Sequence, residues 1–127
     1  MKYLLDTHAF LWFLQNDDRL PVQIRTIIEN NKDVYISIVS LWEIAIKISI
    51  KKLNLTNKTI EDILYSCREK DFSILNITSE HVKSIIDLPF VHPDPFDRML
   101  IAQTKVEDMI LLTCDQNIPQ YPIKTLW

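Results

Sequence analysis

The sequence has no glycine in 127 residues. That absence excludes the P-loop and the dinucleotide-binding fingerprint, because both need a backbone without Cβ where phosphate comes close. Cysteine is nearly as scarce. Cys67 and Cys114 form no CxxC pair and are too few for a disulfide framework, so each reads as a small buried apolar residue. No apolar run approaches the ~20 residues of a membrane-spanning helix. The start, Met1-Lys2-Tyr3-Leu4-Leu5-Asp6, brings an acid too early for the apolar core of a signal peptide, and a cytoplasmic location is the expectation. Positive charge is not in excess either. Fourteen Lys and Arg against 17 Asp and Glu give a net charge of −3, which argues against a strongly basic nucleic-acid binder. An enzyme that holds phosphate through metal ions stays open.

What is present fits one domain spanning 1–127, with 47% apolar and 24% charged residues. Tyr3 to Leu5 reads as a short buried strand, followed by a helix over 8–15 that Asn16-Asp17-Asp18 ends. Pro21 suits the first turn of a second helix through 29, with Asn30-Asn31 supplying a left-handed cap in place of glycine. Val34-Tyr35-Ile36 is a second strand. Ser40 then opens a helix to about 51, and Ser40-Leu41-Trp42-Glu43 has the S-x-x-E form of a capping box. The polar stretch 54–58 leads into a helix over 59–70, a third strand over 72–77 and a short helix over 79–88. Asp94-Pro95 is a helix start, with Asp as cap and Pro in the first helical position, and that helix runs to about 107. Residues 109–113 form a nearly all-apolar fourth strand, and 123–127 an edge strand. Strands alternating with helices predict an α/β sandwich around a mostly parallel sheet, in which ligands bind beyond the carboxyl ends of the strands.

The acids fall where that rule points. Asp6 follows the first strand, Glu43 and Asp97 stand in first turns of helices, and Asp115 follows the fourth strand. Taken singly, each has a plain explanation: acids suit helix N-termini for ~0.3–1 kcal/mol, Glu43 completes its own capping box, and Asp97, third after its cap, has the same option. Taken together they would repel one another and raise one another's pKa values. A hard divalent cation resolves that, and a set of oxygen ligands suits Mg²⁺ or Mn²⁺.

Four blocks carry a resemblance. They are Leu4-Leu5-Asp6-Thr7-His8 with Leu11-Trp12; Ser40-Leu41-Trp42-Glu43-Ile44 with Lys47; His92-Pro93-Asp94-Pro95-Phe96-Asp97-Arg98-Met99-Leu100-Ile101-Ala102-Gln103; and Leu112-Thr113-Cys114-Asp115 with Ile118 and Tyr121. In order and spacing, end to end, the chain resembles PIN-domain proteins, and more narrowly the VapC-type toxins of type II toxin–antitoxin systems. The resemblance implies a PIN-like three-layer α/β/α sandwich. It implies a metal-dependent endoribonuclease with Asp6, Glu43, Asp97 and Asp115 as its acidic Mg²⁺ or Mn²⁺ site, with RNA as substrate, a cognate antitoxin as partner, and a homodimer. Thr113 resembles the hydroxyl that often accompanies the fourth acid. Lys51-Lys52-Leu53 departs from the Gly-Lys-Leu common in relatives, which is expected to alter one helix end.

Accessory positions keep two readings each. Asp94 belongs to the acidic block but reads better as a helix cap. Lys47 either pairs with Glu43 one turn away or meets a substrate phosphate, and Arg98 raises the same choice. His8 either touches the scissile region or is structural, and His81 and His92 have no partner legible in sequence. The aromatics Phe10, Trp12, Phe13, Trp42 and Phe96 read as core. Two rivals stand beside the nuclease. One is a catalytically weak PIN domain that binds RNA or protein. The other is a phosphotransfer enzyme or receiver, which would want a second acid where this chain has His8, or adjacent acids near the first strand.

Overall fold

Short apolar runs set the architecture. The computed structural model describes residues 1–55 and 58–127, so Thr56 and Asn57 of the polar stretch at 54–58 lie outside the described residues. In chain order the elements are β1 (Tyr3–Leu5), α1 (Thr7–Leu14), α2 (Val22–Asn30), β2 (Val34–Ser37), α3 (Ile38–Ser49), α4 (Ile60–Glu69), β3 (Ser73–Leu75), α5 (Ser79–Ile86), α6 (Pro95–Glu107), β4 (Ile110–Leu112) and β5 (Lys124–Leu126). All four strand pairings are parallel, in the order β3-β2-β1-β4-β5.

Alternation along the strands divides the core between the two faces of the sheet. Leu5, Val34, Ile36 and Leu112 pack with Phe10 and Phe13 of α1, Ile24 and Ile28 of α2, and Ile63 and Cys67 of α4. Leu4 and Leu111 point the other way, against Leu100, Ile101 and Ala102 of α6 with Ile118 and Tyr121. This is the expected three-layer α/β/α sandwich. The chain leaves β1 toward β2 and β3, then returns to the other side of β1 for β4 and β5. The reversal opens a crevice at the carboxyl ends of β1 and β4, the place where open α/β sheets put their ligands.

The missing glycines leave a trace at the helix ends. Asn16, Lys51, Asp71 and Asp108 all adopt positive φ, between 52° and 59°. At Lys51 the bonds form a Schellman motif: Lys51 N–H donates to Ile48 O at 3.1 Å and Lys52 N–H to Lys47 O at 2.9 Å. A lysine there accepts the left-handed conformation that glycine takes without a Cβ clash. Lys51→Gly is therefore expected to stabilise the protein by about 0.5–1 kcal/mol, seen as a higher midpoint in urea at unchanged slope. A lowered midpoint would contradict the assignment.

Three local expectations are corrected. Asn30-Asn31 supplies no left-handed cap: Asn30 is helical and Asn31 is extended at φ −114°, its side-chain amide donating to Ile27 O at 2.7 Å. Pro21 is the N-cap of α2, one residue earlier than the first turn. Ser40 does not open α3. Ser37 does, accepting from Val39 N–H at 3.0 Å while its hydroxyl donates to Gln103 Oε1 at 2.6 Å, a tertiary partner that fixes the cap three residues earlier.

Candidate active site

Asp6 enters the crevice directly from β1. It is 4% exposed, and its side chain caps α1 by accepting from Ala9 N–H at 2.8 Å. Burial pushes its pKa up, and Asp115 adds to this. The Thr113 hydroxyl, the Ala9 amide and His8 pull the other way. Thr113, directly after β4, thus stands beside Asp6, while the resemblance had associated it with Asp115. His8 is exposed and acts on Asp6 through its charge.

With Ser37 as cap, Glu43 lies in the second turn of α3, beyond reach of a capping box. The residue is 9% exposed, and its carboxylate has side-chain partners instead. The Thr7 hydroxyl donates to Glu43 Oε1 at 2.8 Å and lies 3.0 Å from Ser40 Oγ; having one proton, it accepts from Ser40. Lys47 Nζ sits 3.1 Å from Glu43 Oε2, the intrahelical pair that was one of its two readings. Thr7 was missed in the sequence, although its place directly after Asp6 at a helix start was a usable signal.

Asp94 caps α6 as expected, accepting from Phe96 N–H at 2.8 Å and Asp97 N–H at 3.4 Å. Asp97 does not reciprocate, because the Asp94 N–H is engaged by His92 Nδ1 at 3.2 Å. Capping therefore accounts for neither Glu43 nor Asp97. Burial first and then Asp94 raise the Asp97 pKa to about 7; His92 lowers it, and Asp6 and Glu43 add to the rise. Asp115 completes the group. Its backbone N–H donates to the Thr113 hydroxyl at 3.1 Å, and its Oδ1 accepts from Asn117 N–H at 2.9 Å. Carboxylates that follow β1 and β4 and stand on α3 and α6 thus lie close enough to feel one another's charge: Asp6 and Glu43 act on Asp97, and Asp115 acts on Asp6, with burial the larger cause of the raised values.

His92 was not legible as a site residue, and the structure corrects that. It is 8% exposed, with Nε2 2.8 Å from Asp115 Oδ2 and 3.2 Å from Asp97 Oδ2. His81 likewise has a partner: it is fully buried, 2.8 Å from Glu107 Oε2. Arg98 is structural as placed, its guanidinium donating to Pro89 O at 3.0 Å and to Tyr121 Oη at 3.2 Å. Cys67 is buried, but Cys114, beside Asp115, is exposed, contrary to expectation. Partial burial of the Cys114 thiol and the carboxylates of Asp6 and Asp115 push its pKa up, keeping it protonated. Trp42 is also exposed, at 58%, against Phe96 at a ring separation of 5.0 Å, while Phe10 and Phe13 are core.

The donor chemistry fits a hard divalent cation: carboxylate oxygens clustered with too little positive charge of their own. The comparisons with known proteins bear on family and fold. The PIN domain model matches residues 3–124, and the chain belongs to the PIN-domain family. Its fold is similar to a chain of the VapBC2 complex from Rickettsia felis bound to a fragment of promoter DNA, at TM-score 0.77 and 15% identity, covering 100% of this chain and 99% of that one. It is similar also to a chain of DNA-bound VapBC from Salmonella typhimurium, at TM-score 0.71 and 16% identity over 99% and 97%. A third likeness is to FitAcB from Neisseria gonorrhoeae, at TM-score 0.70 and 15% identity over 98% and 96%. No curated protein matches the chain closely enough to count as a relative.

Proposed function

We propose that this chain is a metal-dependent endoribonuclease and the toxin of a toxin–antitoxin pair. What carries the reading is the convergence of Asp6, Glu43, Asp97 and Asp115 on one crevice of a PIN domain, where burial and neighbouring carboxylates raise the Asp97 pKa to about 7. Asp6, Asp97, Asp115 and Glu43 would hold Mg²⁺ or Mn²⁺. When bound, such an ion lowers the pKa of water and neutralises charge that builds on a phosphodiester under attack.

The chain's own residues do the rest. Thr7 and Lys47 hold the Glu43 carboxylate from both sides, and the Asn117 amide fixes Asp115. Either acid can orient the attacking water and take its proton. Water oxygen bonds to phosphorus, the bond to the 3′-oxygen breaks in line, and the leaving oxygen takes up a proton. The products are a 5′-phosphate and a 3′-hydroxyl. VapC-type resemblance and the fold shared with chains of VapBC complexes support a cognate antitoxin as protein partner, and a homodimer is part of the same reading.

End-group analysis tests the chemistry. Fragments of a structured RNA made with Mg²⁺ or Mn²⁺ are expected to carry 5′-phosphates. Cyclic 2′,3′-phosphate ends would overturn the water mechanism, and an RNA bound but uncut would favour a binding module.

A further inference from the structure

His92, Asp97 and Asp115 bring a ring nitrogen and two carboxylate oxygens within 4.8 Å of one another, the geometry of a mixed nitrogen–oxygen metal site. The other ring nitrogen argues against His92 as a ligand. Nδ1 accepts from the Asp94 backbone N–H at 3.2 Å. An amide N–H only donates, so Nδ1 keeps its lone pair, and in the neutral ring the proton lies on Nε2. A ligating nitrogen must present a lone pair to the ion, and in this tautomer Nε2 has none.

The local sequence builds that arrangement. Pro93 has no N–H, so the first amide after His92 able to reach its ring is that of Asp94. The Asp94 side chain is meanwhile committed to capping α6. The backbone is tied on the other side, where Tyr121 Oη accepts from His92 N–H at 2.8 Å and from Val91 N–H at 3.1 Å. The ring is thus held at its backbone and at Nδ1, and its Nε2–H faces two carboxylates.

We propose that His92 is a positioning residue: its Nε2–H donates to Asp115 Oδ2 at 2.8 Å with Asp97 Oδ2 at 3.2 Å on its other side, and so sets the spacing of the two acids, so that the cation meets oxygen ligands alone. The part concerning the cation rests on the metal-site reading above; the tautomer does not. An oxygen-only set keeps the site suited to Mg²⁺ and Mn²⁺ and denies it the imidazole that favours zinc or nickel. Outer hydrogen bonds to ligating carboxylates are worth about 10–100-fold in metal affinity.

The test uses the full-length, ¹⁵N-labelled protein. Long-range ¹H–¹⁵N spectra of the metal-free protein at neutral pH should show His92 with Nδ1 unprotonated and Nε2 protonated, unchanged on adding Mg²⁺. A protonated Nδ1, or loss of the Nε2 proton when Mg²⁺ is added, would overturn the proposal. In parallel, Mn²⁺ affinity is measured by titration. His92→Gln, which keeps an N–H near the same place, should stay within about threefold of the unsubstituted protein, whereas His92→Leu should lose about 10–100-fold. Equal losses in both would mark a ligand instead, and no loss in either would remove the bridge. If the unsubstituted protein binds neither Mg²⁺ nor Mn²⁺, the metal-site reading fails, and the tautomer spectrum alone decides the role of His92.

Discussion

Asp97→Asn is expected to reduce RNA cleavage by at least about 100-fold while making the metal-free protein more stable above neutral pH. The two effects share one cause. Asp97 is held among Asp94, Asp6 and Glu43, and burial and those charges raise its pKa to about 7 in the folded state, against an ordinary carboxylate value once unfolded. Between about pH 4 and 7 the folded chain keeps a proton that the unfolded chain has lost. Stability therefore falls as pH rises through that window and levels off above it. Asparagine cannot ionise, so the variant should lack this part of the fall and exceed the unsubstituted protein by on the order of 2 kcal/mol at pH 8. For a domain of this size that is a melting difference of roughly 5 °C or more. Thermal unfolding at pH 5 and pH 8 in chelator measures it. Parallel slopes for the two proteins would mean that Asp97 is not strained by its neighbours.

The second expectation follows from the same crowding. A cation that binds only the folded state stabilises it by mass action, about 2.7 kcal/mol at a concentration 100 times its dissociation constant. Mn²⁺ should therefore raise the melting temperature on the order of 10 °C. Because the Asp97 carboxyl must lose its proton to serve as a ligand, the rise should be larger at pH 8 than at pH 6. In Asp97→Asn most of it should vanish. A Mn²⁺ shift of equal size in both proteins would place the ion elsewhere.

Strands and helix starts were legible where local chemistry decides them. Leu4, Leu5, Leu111 and Leu112 are apolar because both faces of the parallel sheet are covered, and Asp94-Pro95 marks a helix start by itself. Sequence could also place the acids at one edge of the sheet, since strand ends and helix starts share that edge. It could not distinguish Ser37 from Ser40 as the cap of α3, because the deciding partner, Gln103, is far along the chain. That choice matters to the site. It frees Glu43 from capping and turns its carboxylate toward Thr7 and Lys47. His92 was illegible for a similar reason: its carboxylate partner Asp115 lies 23 residues away, on another strand end. Burial of Cys114 was misjudged because its neighbours in sequence, Thr113 and Leu112, are buried while the chain turns outward after β4.

In the proposed function, the carboxylates of Asp6, Glu43, Asp97 and Asp115 cut RNA only with a divalent cation among them. Cleavage of one structured RNA, followed with Mg²⁺, then with excess chelator, then with Mg²⁺ restored, tests it most directly. Cleavage is expected, then its loss, then its return. Cleavage that continues undiminished in chelator would contradict it.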